Sequence, residues 1–229
     1  MRTGFLTSQS QIMRKINRDD VARPSCLASG LERPYADLRG AEKNEIRVAL
    51  LTVQGNRCAY CERRTGSDSD DGHIEHFRKQ ADHPDLDMTW SNMFWSCNDE
   101  KTCGKSKDKC ERVSGRKARF NCDDLINPGI HDPDEFFLFV TDGSIQVRPG
   151  LSPDKQRQAQ ETLRVFQLSE SAYLRKARED AVKPYVNIVA SLLSLGPAVV
   201  QQYVQAQKST VDAAPFSVAI RQFFMNYCP

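Results

Sequence analysis

At 229 residues and a formal net charge of +2, the chain is long enough for one large domain or two small ones, and its overall charge selects no class of partner. The composition, 39% apolar and 27% charged, is that of a soluble globular protein, and no stretch approaches the ~18–20 apolar residues needed to span a bilayer. Residues 1–13 lack the apolar segment of a secretory signal, so a cytosolic setting without membrane contact is expected. Residues 1–40 are polar and punctuated by Pro24, Gly30 and Pro34, which predicts an irregular N-terminal arm; Met13 could serve as an alternative start. Ile46, Ala49, Leu50 and Val53 then recur at helical spacing, predicting a helix over 41–54 with Gly55 as its C-cap, bracing whatever follows at Cys58. A polar loop over 65–72 leads to a short strand over 73–77, and Pro84 marks a further turn. Segments 136–140 and 145–148 pair across Asp142-Gly143, a strong hairpin signal. From Ser152-Pro153 the texture is helical, with Ala159, Leu163 and Phe166 on one face. Ser169 is expected to cap the next helix and Pro184 to break or kink it, while Gly196-Pro197 and Ala214-Pro215 separate two more. The plan is an arm (1–40), a metal-centred core (41–150) and a helical C-terminal region (151–229), mainly α with a small sheet component, α+β.

Six of the eight cysteines lie between Cys58 and Cys122, and such clustering in a reducing compartment points to metal rather than disulfides. Cys58-Ala-Tyr-Cys61 has the spacing of a zinc knuckle, and Cys97 with Cys103 can complete a closed tetrahedral Zn²⁺ site. Cys110 and Cys122 could replace Cys103 or bind separately, although free thiols are the favoured reading for both. Between the pairs lies His73-Ile-Glu75-His76. Hydrolysis of a phosphodiester needs a base for the attacking water, which suits His76. It also needs a cation to neutralise phosphate, and Glu75 suits Mg²⁺ or Mn²⁺. Asn92 could hold the imidazole through its side chain or backbone. Across 101–119, Lys101, Lys105, Lys107, Lys109, Arg112, Arg116, Lys117 and Arg119 outweigh Asp108 and Glu111, a local excess suited to a phosphate backbone. Gly104-Lys105-Ser106 imitates the end of a phosphate-binding loop, but Asp99 stands where that loop's first glycine belongs.

Cys58-Ala-Tyr-Cys61-Glu62, Ile74-Glu75-His76-Phe77, Trp90-Ser-Asn92 and Ser96-Cys97-Asn98 followed by Thr102-Cys103-Gly104-Lys105-Ser106-Lys107-Asp108 resemble an HNH endonuclease. More narrowly they resemble the PtuB-like family, the nuclease subunits of Septu-type and retron-associated antiphage systems. The likeness continues through Asp124-Leu-Ile-Asn-Pro128, the Asp142-Gly143 hairpin and Thr162-Leu-Arg-Val-Phe-Gln-Leu168. It implies a ββα-metal core with structural Zn²⁺, a catalytic Mg²⁺ or Mn²⁺, and a nucleic acid substrate, DNA or RNA. It also implies a PtuA-type ATPase as partner and, through that ATPase, a retron reverse transcriptase with its DNA–RNA product.

Carried over by position, His76 is the general base, Glu75 a metal ligand and Asn92 the middle asparagine. The family's usual ending places a histidine, the last ligand of the catalytic metal, where this chain has Gly104. Asp108, Asn98 and His73 are the nearby substitutes, Asp108 first; His73 shares the strand face of Glu75 by period-two alternation. Lys105, Lys107, Lys109, Arg116, Lys117 and Arg119 are the expected nucleic-acid contacts. The alternative is a zinc-stabilised nucleic-acid-binding or adaptor subunit without catalysis, which would not need Glu75 and His76 together.

Overall fold

A computed structural model describes residues 15–28, 33–68, 70–112 and 120–228. Met13, Gly30, Arg116, Lys117 and Arg119, named above, fall outside the described residues. The architecture is α+β: six α-helices and two small two-stranded sheets among the described residues. None of the described helices is long and apolar enough to cross a membrane.

Helix α1 (Gly40–Gln54) buries Ile46, Leu50, Leu51 and Val53 and ends in the expected Gly55, which adopts the left-handed conformation at φ 60°. Gln54, at its end, does the work of a strand. Its buried amide accepts from Trp95 N (2.8 Å) and donates to Trp95 O (2.9 Å) and Arg57 O (2.8 Å). The helix thereby satisfies the Trp95 amide and shares Trp95 O with Ala59 N (3.0 Å).

Strands β1 (Gly72–His76) and β2 (Met93–Cys97) pair antiparallel, with Glu75 opposite Phe94 and His76 opposite Met93. Helix α2 (Cys103–Arg112) follows β2 and packs on it. The predicted second hairpin is present as β3 (Phe137–Phe139) and β4 (Ile145–Val147). Gly143 in its turn has φ +78°, and a Cβ there would stand 1.9 Å from Arg175 O, so only glycine fits.

Helix α3 (Pro153–Phe166) starts as expected, with Ser152 Oγ accepting from Lys155 N at 3.4 Å. Helix α4 (Ala172–Leu192) departs from expectation twice. Ser171, not Ser169, is its cap, because α3 closes through a left-handed Gln167 and needs the intervening residues to turn. Pro184 lies inside α4 without ending it; the ring is exposed, so the missing amide hydrogen bond falls on the solvent side. Helices α5 (Pro197–Ala213) and α6 (Ser217–Tyr227) are separated as predicted.

The cysteine-bearing half and the helical half share one core. Tyr60, inside the Cys58–Cys61 turn, stacks on Phe166 of α3 with centroids 4.2 Å apart, and Phe216 and Val218 join the same cluster. A second cluster lies between α1 and the β1–β2 pair, and a third joins α4, α5 and α6.

Candidate metal centre and active site

Cys58, Cys61, Cys97 and Cys103 are all buried, and their sulfurs lie within 4.8 Å of one another. Sulfurs at the corners of a tetrahedron around Zn²⁺ stand about 3.8 Å apart, and Cys61 Sγ and Cys97 Sγ are 4.0 Å apart. The donor set therefore fits zinc. Local backbone conformations gather it: Glu62 closes the first turn with φ 61°, and Cys103 opens α2 with φ 55°. Cys97 N donates to Cys58 Sγ at 3.4 Å, an arrangement that favours a thiolate. Cys110 and Cys122 do not join the group.

On the α2 side of β1, Glu75 is 4% exposed and faces Lys107, itself 1% exposed, with Nζ 2.6 Å from Oε1. The same ammonium donates to His76 O (2.7 Å) and Phe77 O (3.1 Å). The ion pair to Glu75 and the two bonds to strand-end carbonyls make Lys107 a clamp on the end of β1. It is not the surface nucleic-acid contact that its place in a basic run suggested. Burial opposes ionisation of Glu75, but Lys107 and then His73 outweigh it and hold the carboxyl below its ordinary range.

His73 Nε2 lies 3.4 Å from Glu75 Oε2 on the same face. Its Nδ1 is 2.8 Å from Asn98 Oδ1, while Asn98 Nδ2 donates to Gly72 O at 3.3 Å. Burial lowers the His73 pKa, but Glu75 and Asn98 more than reverse this and leave it raised. Asp108 does not join Glu75 and His73; among the described residues the four cysteines are the group of three or more such ligands within reach of one ion.

His76, next in the strand, turns to the opposite face. Its Nε2 lies 3.0 Å from Asp87 O, and a carbonyl only accepts, so Nε2 carries the proton and Nδ1 keeps a lone pair. Tyr35 packs edge-on against the ring at 4.8 Å. Burial lowers the His76 pKa despite the opposing pull of Asp87, which favours the neutral imidazole. Asn92 makes none of the hydrogen bonds to this ring. Its Oδ1 accepts from Arg78 N (2.7 Å), its Nδ2 donates to Arg78 O (2.9 Å) and Leu86 O (3.2 Å), and its carbonyl accepts from Phe77 N (2.8 Å). It pins the loop that carries Asp87, and so acts on His76 at one remove.

Of the remaining basic candidates, Lys109 pairs on the surface with Glu100 at 2.9 Å. Lys105 lines a groove of about 350 Å³ with Lys43, Arg47, Tyr35 and His73. Sequence reasoning missed Lys43 and Arg47. They sit four apart on α1, and the signal was a cationic stripe on the helix's polar side.

The Septu protein PtuB of Bacillus thuringiensis is 30% identical over 93 residues, which is 40% of this chain and 31% of that protein. The "Retron Vc95 putative HNH endonuclease" of Vibrio cholerae serotype O1 biovar El Tor is 27% identical over 161 residues, 67% of this chain and 70% of that protein. The chain resembles the PtuB-like HNH proteins. That likeness, first read from the motifs, is borne out by both relatives, although the alignment spans only about a third of the Septu protein's length. No family model matches the chain.

Proposed function

We propose that the chain is the HNH endonuclease subunit of an antiphage defence complex and that the β1–β2 pair with α2 is its ββα-metal core. The observation that carries this reading is the placement of Glu75 and His76 at the end of one strand. The carboxylate is fixed by a buried lysine, and the imidazole is held as a neutral base with Nδ1 free to accept. In this mechanism His76 Nδ1 takes a proton from the attacking water, and Asp87 O keeps the ring in the tautomer that can do so. A divalent cation, Mg²⁺ or Mn²⁺, would be held by Glu75 and would neutralise charge on the phosphate and leaving oxygen. Zinc on the four cysteines is structural, tying the first turn, the end of β2 and the start of α2 together. Lys43, Arg47 and Lys105 line the approach for the nucleic acid backbone.

The partner follows from the resemblance: a PtuA-type ATPase, with a retron reverse transcriptase and its DNA–RNA product reached through it. The helical half carries exposed apolar side chains for docking, Leu193 (55% exposed) and Leu195 (65%) at the α4–α5 junction. The test is cleavage of DNA and RNA by the reconstituted complex with Mg²⁺ or Mn²⁺. His76→Ala is expected to lower the rate by ~10²- to 10⁴-fold while partner binding persists. Wild-type cleavage by that variant would remove His76 as the base.

A further inference from the structure

Gly104 stands against the strand pair where no side chain fits. A Cβ built there would lie 2.8 Å from Glu75 Oε2, 2.9 Å from His73 Nε2 and 2.9 Å from Ser96 Oγ. A carboxylate oxygen, an imidazole nitrogen and a hydroxyl oxygen thus converge on one point opposite a bare stretch of helix. His73 Nε2 is shielded from solvent and has no hydrogen-bond partner. Its orientation is set from behind. Asn98 Nδ2 donates to Gly72 O, so Oδ1 is the atom facing the ring and can only accept. His73 Nδ1 must therefore donate, and in the neutral ring the Nε2 lone pair points at the convergence. This is the arrangement by which a hydrogen bond on one ring nitrogen readies the other for metal. Ser96 Oγ is anchored as well, accepting from Gly104 N at 3.0 Å.

We infer that His73 Nε2 and Glu75 Oε2, with Ser96 Oγ beside them, hold a divalent cation, so that β1 supplies the imidazole that the resemblance would place on α2. Gly104 is then a requirement of the site, because a side chain there would press within 3 Å of all three donors and force them out of place. An imidazole donor favours Mn²⁺ and its first-row neighbours over Mg²⁺ or Ca²⁺. Lys107 on Oε1 leaves one carboxylate oxygen for the cation, so binding is modest until phosphate oxygens complete the shell. The inference deepens the nuclease reading and rests on it for the cation's use, but not for its binding.

The test is titration of the zinc-loaded full chain with Mn²⁺ alone, followed by electron paramagnetic resonance. Wild type is expected to bind one Mn²⁺ with an imidazole nitrogen coupling. His73→Ala should lose that coupling, and both His73→Ala and Gly104→Ala should bind at least ~10-fold more weakly with zinc content unchanged. Asn98→Ala, which removes the anchor of Nδ1 together with the bond to Gly72 O, should weaken binding by about 10-fold and covers the case in which either of the others fails to fold. Asp108→Ala should bind as wild type. Mn²⁺ binding that survives His73→Ala, Gly104→Ala and Asn98→Ala, or that Asp108→Ala abolishes, would overturn the assignment. Mn²⁺ bound in this way by a chain that cuts nothing would leave the cation site standing and sink the nuclease reading. Cleavage at wild-type rate by His73→Ala would leave the nuclease reading standing and remove this cation from its chemistry.

Discussion

Replacing Lys107 by methionine keeps the length and apolar stem of the side chain and removes only its charge and its three donors. The ammonium is 1% exposed, pairs with Glu75 Oε1 at 2.6 Å and donates to His76 O and Phe77 O. Its loss leaves a carboxylate that is 4% exposed without its main counter-charge and two carbonyls without this donor. Breaking a buried pair in this one-sided way costs about 3–5 kcal/mol. At roughly 2–4 °C per kcal/mol for a chain of this size, the melting temperature should fall by about 6–20 °C. Lys107→Met/Glu75→Gln removes the stranded charge as well and should recover around half of the loss, since contacting pairs couple by about 0.5–3 kcal/mol. The assay is thermal unfolding of zinc-loaded protein, with metal content measured so that damage to the cysteine site is seen separately. Melting of Lys107→Met within about 2 °C of wild type would refute the clamp. So would a double variant no more stable than the single, because the penalty would then not come from Glu75.

Cys58→Ser should lose bound zinc and become aggregated or protease-sensitive, since a structural zinc ligand contributes folding energy directly; elemental analysis and limited proteolysis read this, and a soluble variant with full zinc would remove Cys58 from the site. Asp134 supplies a pH dependence: burial pushes its carboxyl from 3.8 up to about 7, against the hydrogen bond from Gln222 Nε2 at 2.5 Å. An acid raised on folding binds more protons in the native state, so its contribution is full below 3.8 and is lost as pH rises to about 7. Asp134→Asn should therefore raise the melting temperature by up to roughly 9–17 °C at pH 8 and change it little at pH 4, and an equal effect at both would contradict the shift.

Much of the scaffold was legible because its signals are local. Gly55, Ser152-Pro153, Asp142-Gly143 and Gly196-Pro197 each act within a few residues, and each bounds an element where expected. The cysteine pairs were legible because four soft ligands have few other reasons to cluster. Lys107 was misread because composition registers a basic run, whereas a helix turns 100° per residue and aims one member inward. Its spacing of three from Gly104 was the available clue. The hydrogen bonds of Asn92 were not legible because its partners, Arg78 and Leu86, lie on a loop whose closure no local pattern encodes. His73 was placed on the face of Glu75 by alternation alone, but the contribution of Asn98, 25 residues on, needed the register of β1 against β2.

The zinc turn is walled by the far end of the chain. Arg57 Nη1 donates to Ala214 O (2.7 Å) and Ser217 Oγ (3.1 Å), while the Glu62 carboxylate accepts from Val218 N (3.3 Å) at the start of α6. Arg57 and Ser217 are 160 residues apart, which at synthesis rates of about 5–20 residues per second is about 10–30 s of translation. The cysteine turn is thus among the first parts of the fold to be made and among the last to be enclosed. A newborn chain passes through an interval in which Cys58 and Cys61 are already outside the ribosome and α6 does not yet exist.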